Sequence, residues 1–352
     1  MDAAVRPGRR CALVRSPDAE LRPLYHFSTT VGRYILLGFL PGPGAAQDAA
    51  LAAFAAHRGL FDDSQLSAFI VLRDAASIAA ARDQPPDLRW FLDGEGKVSG
   101  LYGALDSGGA GNPYWLLLDP SHRVLGAFPI ADAAGLFAEI EALPPVVDYA
   151  GAELYAPVLI VPRVFEADLC RRLIDLYETE GGTPSWVMRD VDGRTVGVLD
   201  DFKRRRDLTI ADPDLRKLIL ARISRRLVPE IAKVFRFQAT RVERYVVACY
   251  DGEEGGFFRP HRDNQTLGAA HRKFAVSINL NAEDFEGGDL RFPEFGPRTY
   301  RPPTGGGVVF SCSLQHAATA VTGGRRYAFL PFLYDEAGAA IREANLGAIA
   351  AP

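Results

Sequence analysis

Apolar and polar positions along this chain follow two different rhythms. In the first 143 residues, apolar runs of strand length alternate with helix-like stretches. Tyr34-Ile35-Leu36-Leu37-Gly38-Phe39 precedes a predicted helix over 45–56, and Ala68-Phe69-Ile70-Val71-Leu72 precedes a second over 75–82. Trp115-Leu116-Leu117-Leu118-Asp119-Pro120 and Val124-Leu125-Gly126-Ala127-Phe128 predict a hairpin, closed by a helix over 136–142. Strands alternating with helices predict an α/β sheet covered by helices.

The second rhythm begins after residue 157. Helical spacing over 167–180, with Leu169, Leu173, Ile174 and Leu176, and over 213–235, with Leu215, Leu218, Ile219, Ile223 and Leu227, predicts helices packed against a sheet. Pro213, after Asp212, suits a first helical turn. From residue 241 short strands are expected over 241–249, 274–280, 289–292, 307–312, 316–321 and 326–334. Their Gly and Pro punctuation predicts a sandwich or barrel of the jelly-roll type. Between the halves, residues 141–157 carry Pro144-Pro145, Gly151 and Pro157 and read as a linker. The expectation is two domains, residues 1–148 and 158–352: an α/β domain followed by a mainly β one.

Composition changes this picture little. The 352 residues are 48% apolar and 24% charged, which suits folded domains. A net charge of -4 advertises neither nucleic acid nor an anionic membrane as a partner. Lys203-Arg204-Arg205-Arg206, flanked by Asp200, Asp201 and Asp207, reads as a solvated loop, with contact to an acidic substrate as the second reading. No apolar run is long enough to span a bilayer, and the arginine-rich first 23 residues lack the apolar core of a secretory signal. Cys11, Cys170, Cys249 and Cys312 stand singly, which fits a reducing compartment, the cytoplasm, and no disulfide framework.

The candidate chemistry lies in His261-Arg262-Asp263, with His316 and Arg326 downstream. Two imidazoles and one carboxylate, without a thiolate, suit a non-heme iron whose remaining positions stay open. In an extended strand alternate side chains point the same way, so His261 and Asp263 can grip one ion while Arg262 faces elsewhere. His316 must come from another strand. Arg326, across a Gly323-Gly324 turn, offers a fork for a carboxylate; its neighbour Arg325 faces the other side, and the pattern of Tyr327-Ala328-Phe329-Leu330 does not choose between them.

With Tyr250, Asn279-Leu280-Asn281 and Gly287-Gly288-Asp289-Leu290 around it, this constellation resembles the prolyl-hydroxylase-like 2-oxoglutarate and Fe(II)-dependent oxygenases over residues 158–335. The resemblance implies a double-stranded β-helix, with Fe(II) held by His261, Asp263 and His316. It implies 2-oxoglutarate as cosubstrate, anchored by Arg326 in preference to Arg325, and Tyr250 and Asn279 donating hydrogen bonds to it. It further implies O2 consumption, release of succinate and CO2, ascorbate as a reductant, and hydroxylation of a protein side chain, proline among them, or of a small molecule. The carboxylate of Asp263 favours hydroxylation over halogenation, since related halogenases carry a small residue there. Loops at 181–207 and 252–259 are the candidates for substrate recognition.

The first half is similar to a peroxiredoxin-like thioredoxin fold over about residues 20–143, through Leu88-Arg89-Trp90-Phe91-Leu92-Asp93-Gly94-Glu95-Gly96-Lys97-Val98 and the Leu118-Asp119-Pro120 turn. Where a peroxiredoxin places its peroxidatic cysteine, this chain reads Leu40-Pro41-Gly42-Pro43-Gly44-Ala45-Ala46-Gln47, so a docking or structural role is expected. Two other function classes compete with the oxygenase: a non-catalytic sensor that binds metal and 2-oxoglutarate, and a thiol peroxidase built on one of the single cysteines. The remaining histidines, His26, His57, His122 and His271, have no ligand-like partners in sequence.

Overall fold

The structure, a computed structural model, describes residues 15–16, 25–80, 88–106, 108–191 and 193–348. Cys11 and the end of the helix expected over 75–82 lie outside these residues. Contacts divide the chain into two units, residues 1–154 with Glu294–Gly296, and residues 155–293 with 297–352.

In the first unit a short antiparallel pair, β1 (Arg15–Ser16) and β2 (Tyr25–His26), precedes the main sheet. The sheet is formed by β3 (Tyr34–Phe39), β4 (Leu66–Leu72), β5 (Leu88–Leu92), β6 (Tyr114–Leu118) and β7 (Val124–Pro129) in the order β5-β4-β3-β6-β7. The first three run parallel, linked through α1 (Ala45–Ala56) and α2 (Ala75–Ala80), and β6 and β7 are antiparallel. With α3 (Lys97–Leu101) after β5 and α4 (Ala133–Glu141) after β7, this is a thioredoxin-like arrangement. Both faces of the sheet are covered, which explains the uninterrupted apolar runs. Tyr34 and Leu36 pack with Phe54 of α1 and Phe137 of α4, while Ile35, Leu37 and Phe39 pack with Val98 and Tyr102. Gly38 makes room for an indole: a Cβ there would lie 2.5 Å from the Trp115 ring.

The second unit is a double sheet with helices outside. Its elements are β8 (Leu159–Val161), α5 (Ala167–Glu180), β9 (Thr183–Pro184), β10 (Val187–Val191), β11 (Arg194–Val198), β12 (Lys203–Arg204), β13 (Arg206–Thr209), α6 (Pro213–Arg226) and α7 (Val228–Phe235). After them come β14 (Arg241–Glu243), β15 (Val246–Asp251), β16 (Phe257–His261), β17 (Phe274–Asn279), β18 (Phe285–Gly287), β19 (Leu290–Arg291), β20 (Thr299–Tyr300), β21 (Gly307–Ser311), β22 (His316–Ala318), β23 (Val321–Phe329), β24 (Phe332–Tyr334) and α8 (Glu336–Ala344). The smaller sheet runs β12-β16-β22-β19-β20, and the larger follows β14-β24-β17-β23-β15-β13-β9.

Strand periodicity sorts the larger sheet's residues into two faces. Val247 and Cys249, Val276 and Ile278, and Tyr327 and Phe329 join the core made with Leu173 of α5, Ile219 of α6 and Ile231 of α7. The intervening positions Ala248, Tyr250, Ser277, Asn279, Arg326 and Ala328 therefore face the other way, toward the smaller sheet. Ala248 and Tyr250 accordingly cluster with Ala318 and Phe258. This is the jelly-roll interior.

Several elements differ from their sequence expectation. The helix over 213–235 is two helices, ending at Leu227 and restarting with Pro229 in the first turn, where the missing N–H is harmless. The strand over 241–249 breaks at Arg244, whose φ is 67°. Gly323-Gly324 is no turn: β23 runs through it, with Gly324 at φ 69° against the Asp284 carbonyl. The last strand divides around Pro331, which has no N–H to give a ladder. Residues 181–207 are not an open loop, since they hold β9, the antiparallel β10–β11 hairpin, β12 and the start of β13. Within 252–259, β16 already begins at Phe257.

A candidate metal centre

The centre is assembled by one strand pair. β16 and β22 run antiparallel with His261 directly opposite His316, and the register shifts between Phe258 and His261. Asp263 is not in the strand with His261, as the alternation argument had it; β16 stops at His261. The Asp263 N–H donates to the Cys312 carbonyl at 3.0 Å, and this bond returns the chain toward the strand pair. One ligand atom from each of His261, Asp263 and His316 lies within 4.8 Å of the others.

The protonation of this cluster follows from its neighbours. His261 Nδ1 lies 2.7 Å from the Arg259 carbonyl and His316 Nδ1 3.1 Å from the Leu314 carbonyl. A carbonyl only accepts, so each Nδ1 carries the hydrogen and each Nε2 is left to face inward. There His261 Nε2 stands 3.5 Å and His316 Nε2 3.2 Å from the carboxylate oxygens of Asp263. Burial first, then repulsion from His316, pushes His261 down to about 4. Burial would raise the Asp263 carboxyl, but the two imidazoles overcome this and hold it well below the usual range. Two imidazole nitrogens and a carboxylate oxygen that converge in this way offer a metal ion three ligands. The donor set of two nitrogens and an oxygen, with backbone carbonyls fixing both tautomers, fits Fe(II).

Beside this centre the buried Arg326 donates from Nη2 to Ser277 Oγ at 2.8 Å, and from Nε and Nη2 to Asn279 Oδ1 at 3.4 and 3.3 Å. Its guanidinium carbon lies 5.1 Å from the centre of the Tyr250 ring. Among the described residues no carboxylate forms an ion pair with it, and Asp289 attracts it only from farther off, so burial lowers its pKa. Arg325 instead pairs with Asp251 at 2.8 Å near the surface. Asn279 Nδ2 gives one of its two hydrogens to the Pro302 carbonyl at 2.9 Å, and its Oδ1 accepts from Arg326. The Tyr250 hydroxyl accepts from Arg205 Nη1 at 3.2 Å.

Sequence reasoning missed Ser277 and Arg205. The 203–206 stretch is not a solvated loop. Arg205 is buried, with Nε and Nη2 each 2.7 Å from an Asp207 oxygen. The spacing Arg205-x-Asp207 was the available signal, since alternate strand positions share a face. The described cysteines are buried and free, and burial pushes Cys170 and Cys249 up to about 11, far from a reactive thiolate. His122 meets Thr30 Oγ1 at 3.0 Å, and His271 meets Glu243 at 2.6 Å.

Fold and centre together define a jelly roll with a two-histidine, one-carboxylate cluster inside it. Residues 245–334 match the family model of the 2OG-Fe(II) oxygenase superfamily, and the second unit carries that oxygenase domain. A PKHD-type hydroxylase of Synechococcus sp. (strain JA-2-3B'a(2-13)) is 26% identical over 120 residues, 32% of this chain and 51% of the relative. The chain thus spans about half the length of the curated relatives it matches. A Pseudomonas putida prolyl-4-hydroxylase is similar over 53% of this chain and 95% of its own, with 20% identity and a TM-score of 0.39. A mutant PrxQ of Xylella fastidiosa is similar over 40% of this chain and 98% of its own, with 13% identity and a TM-score of 0.34. Among the described residues no helix is long and apolar enough to cross a membrane.

Proposed function

We propose that the protein is a 2-oxoglutarate- and Fe(II)-dependent dioxygenase that hydroxylates a protein side chain, proline included, or a small molecule. The observation that carries this reading is the convergence of one ligand atom each from His261, Asp263 and His316 within 4.8 Å of one another, a donor set that suits a divalent cation. His261, Asp263 and His316 hold the ion. Fe(II) bound there supplies the redox centre at which O2 is reduced while 2-oxoglutarate is converted to succinate and CO2.

The protein's own part is binding and orientation. Arg326, buried and without a carboxylate partner, receives the distal carboxylate of the cosubstrate, and Ser277 and Asn279 fix the guanidinium in place. The Tyr250 ring packs alongside. Ascorbate as a reductant and the cytoplasm as the compartment belong to the same reading, the latter in keeping with single buried thiols.

The test is anaerobic Fe(II) titration followed by 2-oxoglutarate and O2. One bound iron per chain and succinate formation that stops without iron are expected. A protein that binds neither iron nor 2-oxoglutarate overturns the reading.

A further inference from the structure

The outer face of the smaller sheet carries charge that the iron site does not use. His316 and Ala318 of β22 face the interior, where Ala318 clusters with Phe258, so Ala317 and Thr319 face out. The strand ladders extend this outer row: Arg291 of β19 stands opposite Ala317, and Arg204 of β12 opposite Phe257 of β16. Arg259 belongs to the same face, because its guanidinium lies 5.7 Å from the centre of the Phe257 ring, as does that of Arg204. A groove of about 320 Å³ opens here, with Phe257, Arg259, Pro260, Arg291, Pro293 and Ala317 in its walls.

Three properties set the chemistry of an occupant. The first is charge. Arg204, Arg259 and Arg291 are exposed, and among the described residues none of them forms an ion pair. Arg204 donates from Nη1 to the Glu254 backbone carbonyl at 2.8 Å. Cation–π contact with one ring orders two guanidiniums without neutralising either, so a carboxylate set between them relieves their repulsion. The second is the apolar floor of Phe257, Pro260, Pro293 and Ala317. Its volume is at the small end of the about 300–1,000 Å³ of small-molecule sites, which suits one apolar side chain of a longer chain. The third is span. The arginines are spread over β12, β16 and β19, about 14 Å across at the usual strand spacing, which matches carboxylates placed along an extended peptide better than a single anion. A nucleic acid fits less well, since both phenyl rings at the groove already stack, Phe257 under guanidiniums and Phe258 on His261.

We propose that this face docks an extended acidic segment of a partner protein, with one apolar side chain in the groove and carboxylates on Arg204, Arg259 and Arg291. The occupant lies outside the roll. The inference therefore goes beyond the oxygenase reading and stands or falls apart from it.

The experiment is fluorescence anisotropy of a labelled peptide, Glu-Asp-Phe-Asp-Glu, on the full-length protein at low ionic strength. Unlabelled competitors are the same peptide, its amide match Gln-Asn-Phe-Asn-Gln, the peptide with Ala in place of Phe, oligothymidylate, and phosphatidylserine vesicles. The acidic peptide is expected to bind once per chain, to resist the amide match, and to yield to the Ala form only at higher concentration. Arg291→Ala and Arg259→Ala should each weaken it about fivefold, the upper range for an exposed ion pair, while Arg291→Lys keeps most of the affinity. Should Arg259→Ala fail to fold, Arg291→Ala decides alone. No binding to the wild type, equal binding of the amide match, or affinity unchanged in Arg291→Ala overturns the proposal. Oligothymidylate or vesicles that displace the peptide more readily than the peptide itself also overturn it, and assign the face to nucleic acid or membrane. No iron is needed, so the outcome is separate from that of the iron titration.

Discussion

The two units bury polar groups in different ways. In the first, the aspartates Asp63 and Asp93 are answered by their immediate neighbours. Asp63 takes one arginine, Arg89, at 2.6 Å, and Ser67 donates to its other side. Asp93 accepts the N–H groups of Val98 and Ser99 at 2.9 and 2.7 Å, closing the start of α3. In the second unit one carboxylate, Asp207, serves two arginines, Arg326 forms no ion pair among the described residues, and two imidazoles converge on Asp263. Polar burial that closes on itself holds a fold together. Polar burial left with surplus charge of one sign, or with ligand atoms drawn together, is arranged for something that arrives from outside.

This contrast can be broken at four points, from the largest expected effect to the smallest. Asp263→Ala removes the only carboxylate of the metal cluster. Iron affinity and succinate formation should fall about 100-fold or more, since even outer partners of metal ligands are worth 10–100-fold, while the unfolding of the first unit stays unchanged. Retained iron binding would remove the centre from the argument.

Next, Asp207→Asn leaves the buried Arg205 and the half-buried Arg244 without their counter-charge and should destabilise the second unit by about 3 kcal/mol in denaturant unfolding. The same groups predict acid sensitivity. Burial would raise Asp207, but Arg205 and Arg244 hold it at about 2 against an ordinary 3.8, and His271 and Arg272 hold the likewise buried Glu243 at about 2 against 4.5. A depressed carboxylate stabilises fully above its unfolded pKa and loses that contribution as pH falls toward the folded one. Stability of the second unit should therefore be flat above about 4.5 and decline toward about 2, and Asp207→Asn should flatten the decline.

Third, Arg326→Met should raise the KM for 2-oxoglutarate about 30-fold, the lower range for truncating a buried charge partner, with iron affinity unaltered. An unchanged KM would mean that another cation anchors the cosubstrate. The smallest effect is expected in the first unit. Asp93→Ala removes a cap and should cost about 1 kcal/mol in unfolding with no change in turnover. A cost there equal to that of Asp207→Asn would erase the distinction between the units.

Much of this was legible in the sequence. The strand and helix alternation of the first half became a five-stranded sheet because runs such as Leu36-Leu37 and Ile70-Val71 have only buried surroundings to go to. His261, Asp263, His316 and Arg326 were visible as residue types whose chemistry belongs together, and the structure brings them to one interior. What escaped depended on a third residue. Lys203–Arg206 looks solvated because four cations flanked by aspartates are what a surface loop contains, and only the pairing of β13 with β15 buries Arg205 beneath Tyr250. Arg325 and Arg326 could not be separated along their own strand. The separation comes from Tyr327 and Phe329 packing on the helices, which turns Arg326 inward. The break at Leu227 did have a local sign in Pro229.

The register shift in β16 has a consequence of its own. Phe258 sits opposite Ala318 and His261 opposite His316, so three steps along one strand answer two along its neighbour. In a regular strand Phe258 and His261, three positions apart, would project to opposite faces; the irregularity lets both stand against the same neighbour strand, their rings stacked 3.4 Å apart. The centre is thus written partly as a count and not only as an alphabet, since the same letters in an unbroken ladder would part the first imidazole from the aromatic ring beside it.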